Sequence, residues 1–144
     1  MSIIIYLRTR DIFMGSNREQ YDKLTVRKIV DDMVYIEYCE PTAQDVDKLL
    51  HDLTKMGFKG RILAYPSDSH TITRSFKDIE GITSVVRRFK DNFQCIAVVT
   101  KSTVSFGMAN VFSKLADCEN INVGVFRDYQ DALNWIYSIR MYHN

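Results

Sequence analysis

The sequence predicts an α/β fold: a single domain built on a mixed β-sheet with about four helices. In the second half of the chain, strand-like apolar runs alternate with helical apolar stripes, which favours parallel strands joined by right-handed crossovers. Near the start, two β-rich runs are separated by a short acidic link, which is typical of an antiparallel hairpin. The chain has 144 residues, 46% of them hydrophobic and 26% charged, which suits one globular domain and excludes a disordered one.

The first elements are an N-terminal strand and the hairpin. We interpret residues 1–23 as an extension with one strand, because three consecutive isoleucines favour the extended backbone. Residues 24–144 then form the folded domain. The hairpin strands are predicted over 24–30 and 34–39, since apolar and polar side chains alternate in the second run.

The first helix has clear start and stop signals. Thr42 is predicted as its N-cap, and Asp45 can reach back to it in the manner of a capping box. Gly57 suits the position just after the helix end, because glycine enters the left-handed region without a Cβ clash. Its apolar stripe consists of Val46, Leu49, Leu50, Leu53 and Met56.

The rest of the chain alternates between strands and helices. The predicted elements are a strand over 61–65, a helix over 82–93, a strand over 95–100, a helix over 103–116, a strand over 121–126 and a helix after Asp128. The run over 95–100 is continuously apolar, as expected of a central strand covered on both faces. The polar stretch 67–81 has no periodicity that assigns it.

The back half of the chain also resembles a known family. The segment Phe106-Gly107-Met108-Ala109, the strand Val125-Phe126-Arg127-Asp128 and the helix Ala132-Leu133-Asn134-Trp135-Ile136 are similar to the pattern of STAS-fold proteins. More narrowly, they resemble the bacterial SpoIIAA-like proteins, which are anti-sigma-factor antagonist-like and of STAS/SEC14 type. The likeness covers residues 24–138. It implies a STAS-like domain and a regulatory module that binds a protein partner.

The same resemblance implies a candidate phosphorylation site. Anti-sigma-factor antagonists carry an Asp-Ser-Ser-Gly-type motif in which one serine is phosphorylated. The corresponding residue here is Ser69, although Asp68 and Ser69 are followed by His70 and Thr71 and by no glycine.

Two hydroxyl-rich segments follow predicted strands, and they are the candidate binding loops. They contain Ser67, Ser69 and His70 in the first loop, and Thr100, Lys101, Ser102, Thr103 and Ser105 in the second. We expect them at one edge of the sheet, where open α/β sheets bind ligands. A helix N-terminus beside Lys101 can hold an anion; the alternative is simple N-capping by Ser102 or Ser105. His70 can act as a base beside a hydroxyl nucleophile, with an ordinary surface loop as the alternative.

Apolar and aromatic residues suggest two further kinds of surface. Phe106, Met108 and Phe112 recur at helical spacing and either line an apolar pocket or belong to the core. With the SEC14-type likeness, a pocket there implies a carrier or sensor of a small apolar or lipid-like ligand. The chain also has eight tyrosines, and exposed tyrosines favour a protein interface.

Several function classes are disfavoured. Nineteen Lys and Arg against eighteen Asp and Glu leave a net charge of +1, which argues against a general nucleic-acid binder. Three Cys and three His show no metal-ligand spacing, so we expect no metal and no cofactor. Free thiols favour a cytoplasmic protein, and no run approaches the ~18 apolar residues of a membrane span.

The sequence therefore predicts a non-catalytic regulatory module that binds a protein partner. The alternative is the carrier or sensor of a small apolar ligand. A hydrolase or transferase that uses Ser69 and His70 ranks last. A homodimer is expected only from the general frequency of such assemblies.

Overall fold

The computed structural model describes residues 24–67 and 76–139. The strands are β1 (Leu24–Val30), β2 (Met33–Tyr38), β3 (Gly60–Pro66), β4 (Phe93–Val99) and β5 (Val123–Phe126). The helices are α1 (Ala43–Lys55), α2 (Phe76–Arg88), α3 (Thr103–Cys118) and α4 (Tyr129–Ser138), with a 3-10 turn at Lys90–Asn92. The predicted α/β class and the predicted hairpin are confirmed. The strand predicted within residues 1–23 lies outside the described residues.

The sheet has five strands in the order β1-β2-β3-β4-β5. β1 is antiparallel to β2, and the other neighbours are parallel. Each crossover from β2 onward moves one strand in the same direction, so right-handed connections place their helices on one face of the sheet. Accordingly, α1, α2 and α3 cover one face, called here the three-helix face, and α4 packs on the other, called the α4 face.

Two apolar layers sandwich the sheet, and strand alternation divides the side chains between them. The three-helix face buries Leu24, Val26, Ile29, Val34, Ile36, Leu49, Leu50, Leu53, Phe58, Ile62, Val85, Val86, Ile96, Ala116 and Ile121. The α4 face buries Met33, Tyr35, Leu63, Cys95, Ala97, Val99, Ala132 and Ile136. β4 contributes to both layers, which confirms the central, doubly covered strand predicted from its continuous apolar run.

The predicted signals of α1 are present. The Thr42 hydroxyl oxygen accepts the Asp45 backbone N–H at 3.1 Å, and the Asp45 carboxylate accepts the Thr42 N–H at 2.9 Å. This capping box satisfies two backbone donors that the first turn leaves free. Gly57 follows the helix with a φ of 84°, as expected for a residue in the left-handed region.

The helix predicted over 82–93 is wrong at both ends, because α2 spans Phe76–Arg88. The buried stripe of α2 begins at Ile79 and continues with Thr83 and Val86 at helical spacing. The residues next to Ile79 are exposed, so the sequence shows no apolar periodicity in the first turn of the helix. At the other end, Phe93 pairs with Gly60 and begins β4. None of the helices in the described ranges has the length and apolar character needed to cross a membrane.

Candidate functional site

An apolar, partly open cavity of about 190 Å³ lies on the three-helix face, between the sheet and α1, α2 and α3. It lies toward the carboxyl ends of the strands, beside the first turns of the helices. Its described lining consists of Leu24, Ile36, Tyr38, Glu40, Pro41, Val46, Leu49, Leu50, Ile62, Ala64, Ile79, Ile82, Val86, Ile96, Val98, Thr100, Ser105, Met108, Ala109 and Phe112. Nearly all of these side chains are apolar, so the cavity favours an apolar occupant.

Small side chains on the sheet and on α3 help to explain why the cavity exists. Ala64 on β3 and Ala109 on α3 both line the cavity, and each ends at Cβ. Protein interiors are normally packed to the density of organic crystals, so side chains around a void lose favourable contacts. The cavity is therefore a local departure from close packing.

Four described residues of the lining carry polar side chains: Tyr38, Glu40, Thr100 and Ser105. The Tyr38 hydroxyl donates a hydrogen bond to the Val99 carbonyl at 2.6 Å, and burial raises the pKa of Tyr38 to about 12. Tyr38 is therefore neutral and already paired. Thr100 is 1% exposed, and its hydroxyl oxygen has no hydrogen-bond partner among the described residues.

The three apolar residues singled out in the sequence have different positions. Met108 and Phe112 are half-buried on α3 and line the cavity. Phe106 does not line it; the Arg127 guanidinium lies over the Phe106 ring, 5.3 Å from its centre. The helical spacing thus identified two of the residues that face the cavity.

The described parts of the two polar loops lie at the same edge of the sheet. Ser67 directly follows β3, and its backbone N–H donates to the Tyr38 carbonyl at 2.9 Å. Lys101 and Ser102 follow the neighbouring parallel strand β4. Ser69 and His70 fall within residues 68–75, outside the described residues, so the phosphorylation and catalytic hypotheses for that loop stay predictions.

In the second loop, Ser102 is the N-cap of α3, and its hydroxyl oxygen accepts the Ser105 backbone N–H at 3.0 Å. Thr103 is exposed at the first position of the helix. Lys101 does not line the cavity. It lines a separate groove of about 490 Å³ with Arg127, Asp128 and Tyr129.

Tyrosines gather on the α4 face. The hydroxyls of Tyr35 and Tyr137 are 3.2 Å apart, and the rings of Tyr65 and Tyr129 meet edge to face with centres 5.7 Å apart. Tyr137 is 59% exposed and Tyr129 is 41% exposed. Tyr65, Tyr129 and Tyr137, called here the tyrosine face, form an amphipathic surface of the kind common at protein interfaces, and the buried Tyr35 lies beneath them.

Sequence reasoning did not predict Ala64 and Ala109 as residues of a cavity, and it assigned Thr100 to the second polar loop rather than to the cavity. For Thr100 a signal was present, because strand alternation places it on the same face as Ile96 and Val98. For the two alanines there was none, since their importance depends on which distant segments pack around the same cavity.

Other kinds of site have little support. Within residues 24–67 and 76–139, no three His, Cys, Asp or Glu side chains are grouped so as to hold a metal ion. The described strand order also has no reversal, and it is at a reversal that open parallel sheets form their usual ligand crevice.

No protein-family model matches this sequence, and no curated protein matches it either. The STAS resemblance stays a prediction.

Proposed function

We propose that this protein is a non-catalytic binding domain that holds a small apolar molecule between its sheet and helices α1, α2 and α3. The observation that carries the proposal is the apolar cavity of about 190 Å³. A dry protein cavity of about 150 Å³ is large enough to bind benzene. The cavity therefore has room for a molecule, or for the apolar part of a molecule, of similar size or slightly larger.

The chemistry of the wall supports this function. Apolar side chains around an empty space lack contact partners on one side, and an apolar ligand supplies them. Water gains little there, because a buried water needs two to four polar partners. The only charged side chain of the described lining is Glu40, so the site disfavours an anionic molecule.

Titration with toluene, followed by NMR of the methyl groups, tests the proposal. We expect saturable shifts of methyl resonances from lining residues such as Leu49 and Val98. Ala109→Leu and Ala64→Val each add carbons to the cavity and are expected to abolish saturable binding. Gly107→Ala is the control, because its new Cβ meets nothing within 4 Å and Gly107 does not line the cavity.

The outcomes of this titration are distinct. Binding by the wild type and by Gly107→Ala, lost in both filled variants, supports the function. Absence of saturable shifts in the wild type contradicts it. So does undiminished binding in both filled variants, because toluene then occupies another place.

The tyrosine face favours a second candidate function, the docking of a protein partner. Tyr129 and Tyr137 expose large rings that retain hydrogen-bonding hydroxyls, and tyrosine is enriched at interfaces. Affinity purification from the native host with the wild type and with the Tyr129→Ser/Tyr137→Ser variant tests it. A protein retained by the wild type and lost from the variant supports docking, whereas identical sets of proteins count against it.

A further inference from the structure

A buried hydroxyl with no hydrogen-bond partner among the described residues lies beside the cavity. Thr100 is 1% exposed, and its side-chain oxygen has no hydrogen-bond partner among the described residues. A buried polar group left unpaired loses its hydration without compensation, so native structures rarely keep one without a reason. An unpaired group at a ligand site has a simple reason, since the ligand can provide the missing partner.

Thr100 lines the cavity, but its hydroxyl oxygen is not itself exposed to the empty space. Rotation about χ1 exchanges the hydroxyl with the methyl group and turns it toward a ligand. Thr100 follows β4 directly, and its backbone N–H is already used in a 2.8 Å bond to the Phe126 carbonyl. Thr100 continues the alternation of Ile96 and Val98, and all three line the cavity. Two other buried polar atoms are unpaired, Thr54 Oγ1 and Arg61 Nε, but neither residue lines it.

The neighbouring polar groups of the wall restrict the chemistry of the partner. The Tyr38 hydroxyl donates to the Val99 carbonyl and is therefore engaged within the protein. Glu40 lines the cavity, whereas no Lys, Arg or His of the described residues does. An anionic group would be buried near a carboxylate and without a cation, which is strongly unfavourable. A neutral oxygen bonds to Thr100 without that penalty.

We propose that the cavity takes a neutral amphiphile whose apolar body lies among α1, α2 and α3 and whose single hydroxyl or carbonyl oxygen pairs with the Thr100 hydroxyl. This inference rests on the ligand-binding function proposed above and names the class of its ligand. A threonine hydroxyl both donates and accepts, so either kind of oxygen satisfies it. Thr100 is thereby the residue that fixes the orientation of the ligand.

Toluene, benzyl alcohol and benzoate test the inference, since they share one ring and differ in the attached group. Their dissociation constants are measured by methyl NMR titration for the wild type, Thr100→Val and Thr100→Ser. Thr100→Val removes the hydroxyl and keeps a branched side chain, whereas Thr100→Ser retains the hydroxyl. We expect Thr100→Val to weaken benzyl alcohol about tenfold and to leave toluene unchanged or tighter. Thr100→Ser should keep most of the affinity for the alcohol, and benzoate should not bind the wild type.

The results separate this inference from the proposed function. If toluene binds but Thr100→Val weakens benzyl alcohol no more than toluene, the apolar site stands and the role of Thr100 is overturned. Benzoate binding as tightly as benzyl alcohol overturns the neutral class of ligand. If neither toluene nor benzyl alcohol binds the wild type, the proposed function fails and the inference fails with it.

Discussion

Thr100 and Thr83 are the two buried polar residues of the described core, and their hydroxyls have opposite surroundings. The Thr83 hydroxyl donates to the Ile79 carbonyl at 2.8 Å, whereas the Thr100 hydroxyl is unpaired. An unpaired buried polar group lowers stability by about 1–3 kcal/mol. Its presence beside the cavity is consistent with a residue kept for binding at some loss of stability.

Replacing each threonine by valine should therefore change stability in opposite directions. Thr100→Val is expected to raise the free energy of unfolding of the ligand-free protein by about 1 kcal/mol, because it removes an unsatisfied hydroxyl. Thr83→Val is expected to lower it by about 0.5–1.5 kcal/mol, because it removes a hydrogen bond that is formed. Urea denaturation of both variants measures the two changes. A loss of stability in both would show that the Thr100 hydroxyl has a partner.

The raised pKa values of the Tyr38 phenol and the Cys95 thiol should make stability fall at alkaline pH. Burial raises the pKa of Tyr38 to about 12 from 10.0, and that of Cys95 to about 11 from 9.0. A raised folded-state pKa gives stability that is complete below the unfolded-state pKa and is lost as pH rises toward the folded-state value. The loss should begin near pH 9 through Cys95 and continue between pH 10 and 12 through Tyr38.

Tyr38→Phe separates the contribution of the tyrosine. It removes the bond to the Val99 carbonyl, so it should cost about 1 kcal/mol at pH 8. Above pH 10 its free energy of unfolding should decline less steeply than that of the wild type. Urea denaturation at pH 8, 10 and 11.5 checks this. Parallel declines for the two proteins would mean that Tyr38 does not titrate with the raised pKa.

At the scale of elements, the sequence predicted the ends of a helix correctly where local interactions, such as a capping box, determine those ends. The capping box of Thr42 and Asp45 and the left-handed Gly57 marked α1 in the sequence and are present in the structure. α2 has no comparable signal, because its first turn includes the exposed Phe76 and only Ile79 is buried there. Its extent depends on contact with the layers around it, so the prediction over 82–93 was misplaced.

Substitutions at two glycines test how closely β3 approaches the turn between β1 and β2. A Cβ on Gly60 would lie 1.9 Å from the Asp32 carbonyl oxygen, in the turn that precedes β2. Since Arg61 also donates its backbone N–H to that oxygen at 2.7 Å, the backbone cannot simply move away. Gly60→Ala should therefore lower the free energy of unfolding by more than about 2 kcal/mol, as expected for steric overlap with packed backbone.

Gly107→Ala is the matched substitution in open space. Its Cβ meets nothing within 4 Å inside α3, so it should raise the free energy of unfolding by about 0.5–1 kcal/mol through helix propensity. Thermal or urea denaturation of both variants measures the difference. Equal effects of the two substitutions would show that β3 does not approach the β1–β2 turn as closely as described.

At the scale of the molecule, the direction of the crossovers determines where a ligand can bind. Three helices pack on one face of the sheet, and the cavity lies between them and the sheet, with small side chains from β3 and α3 in its lining. Periodicity in the sequence predicts that Met108 and Phe112 turn inward. It cannot predict that Ala64 and Ala109 line one cavity, because that arrangement arises only when distant segments pack together.

The fold class was more predictable than the site for the same reason. Alternation and helical stripes are properties of single segments, and they indicated the mixed sheet correctly. The volume left between layers depends on many side chains at once. The arrangement of Tyr35 with Tyr137, which are distant in sequence and joined through their hydroxyls, also belongs to this class of long-range features.

A crystal structure determined under xenon pressure tests the central claim most directly, because xenon enters apolar cavities without requiring a polar contact. We predict a xenon atom between the sheet and α3, in contact with Ala64, Ala109 and Phe112. The contradictory result is a structure without xenon there, in which Met108 and Phe112 fill the space against the sheet.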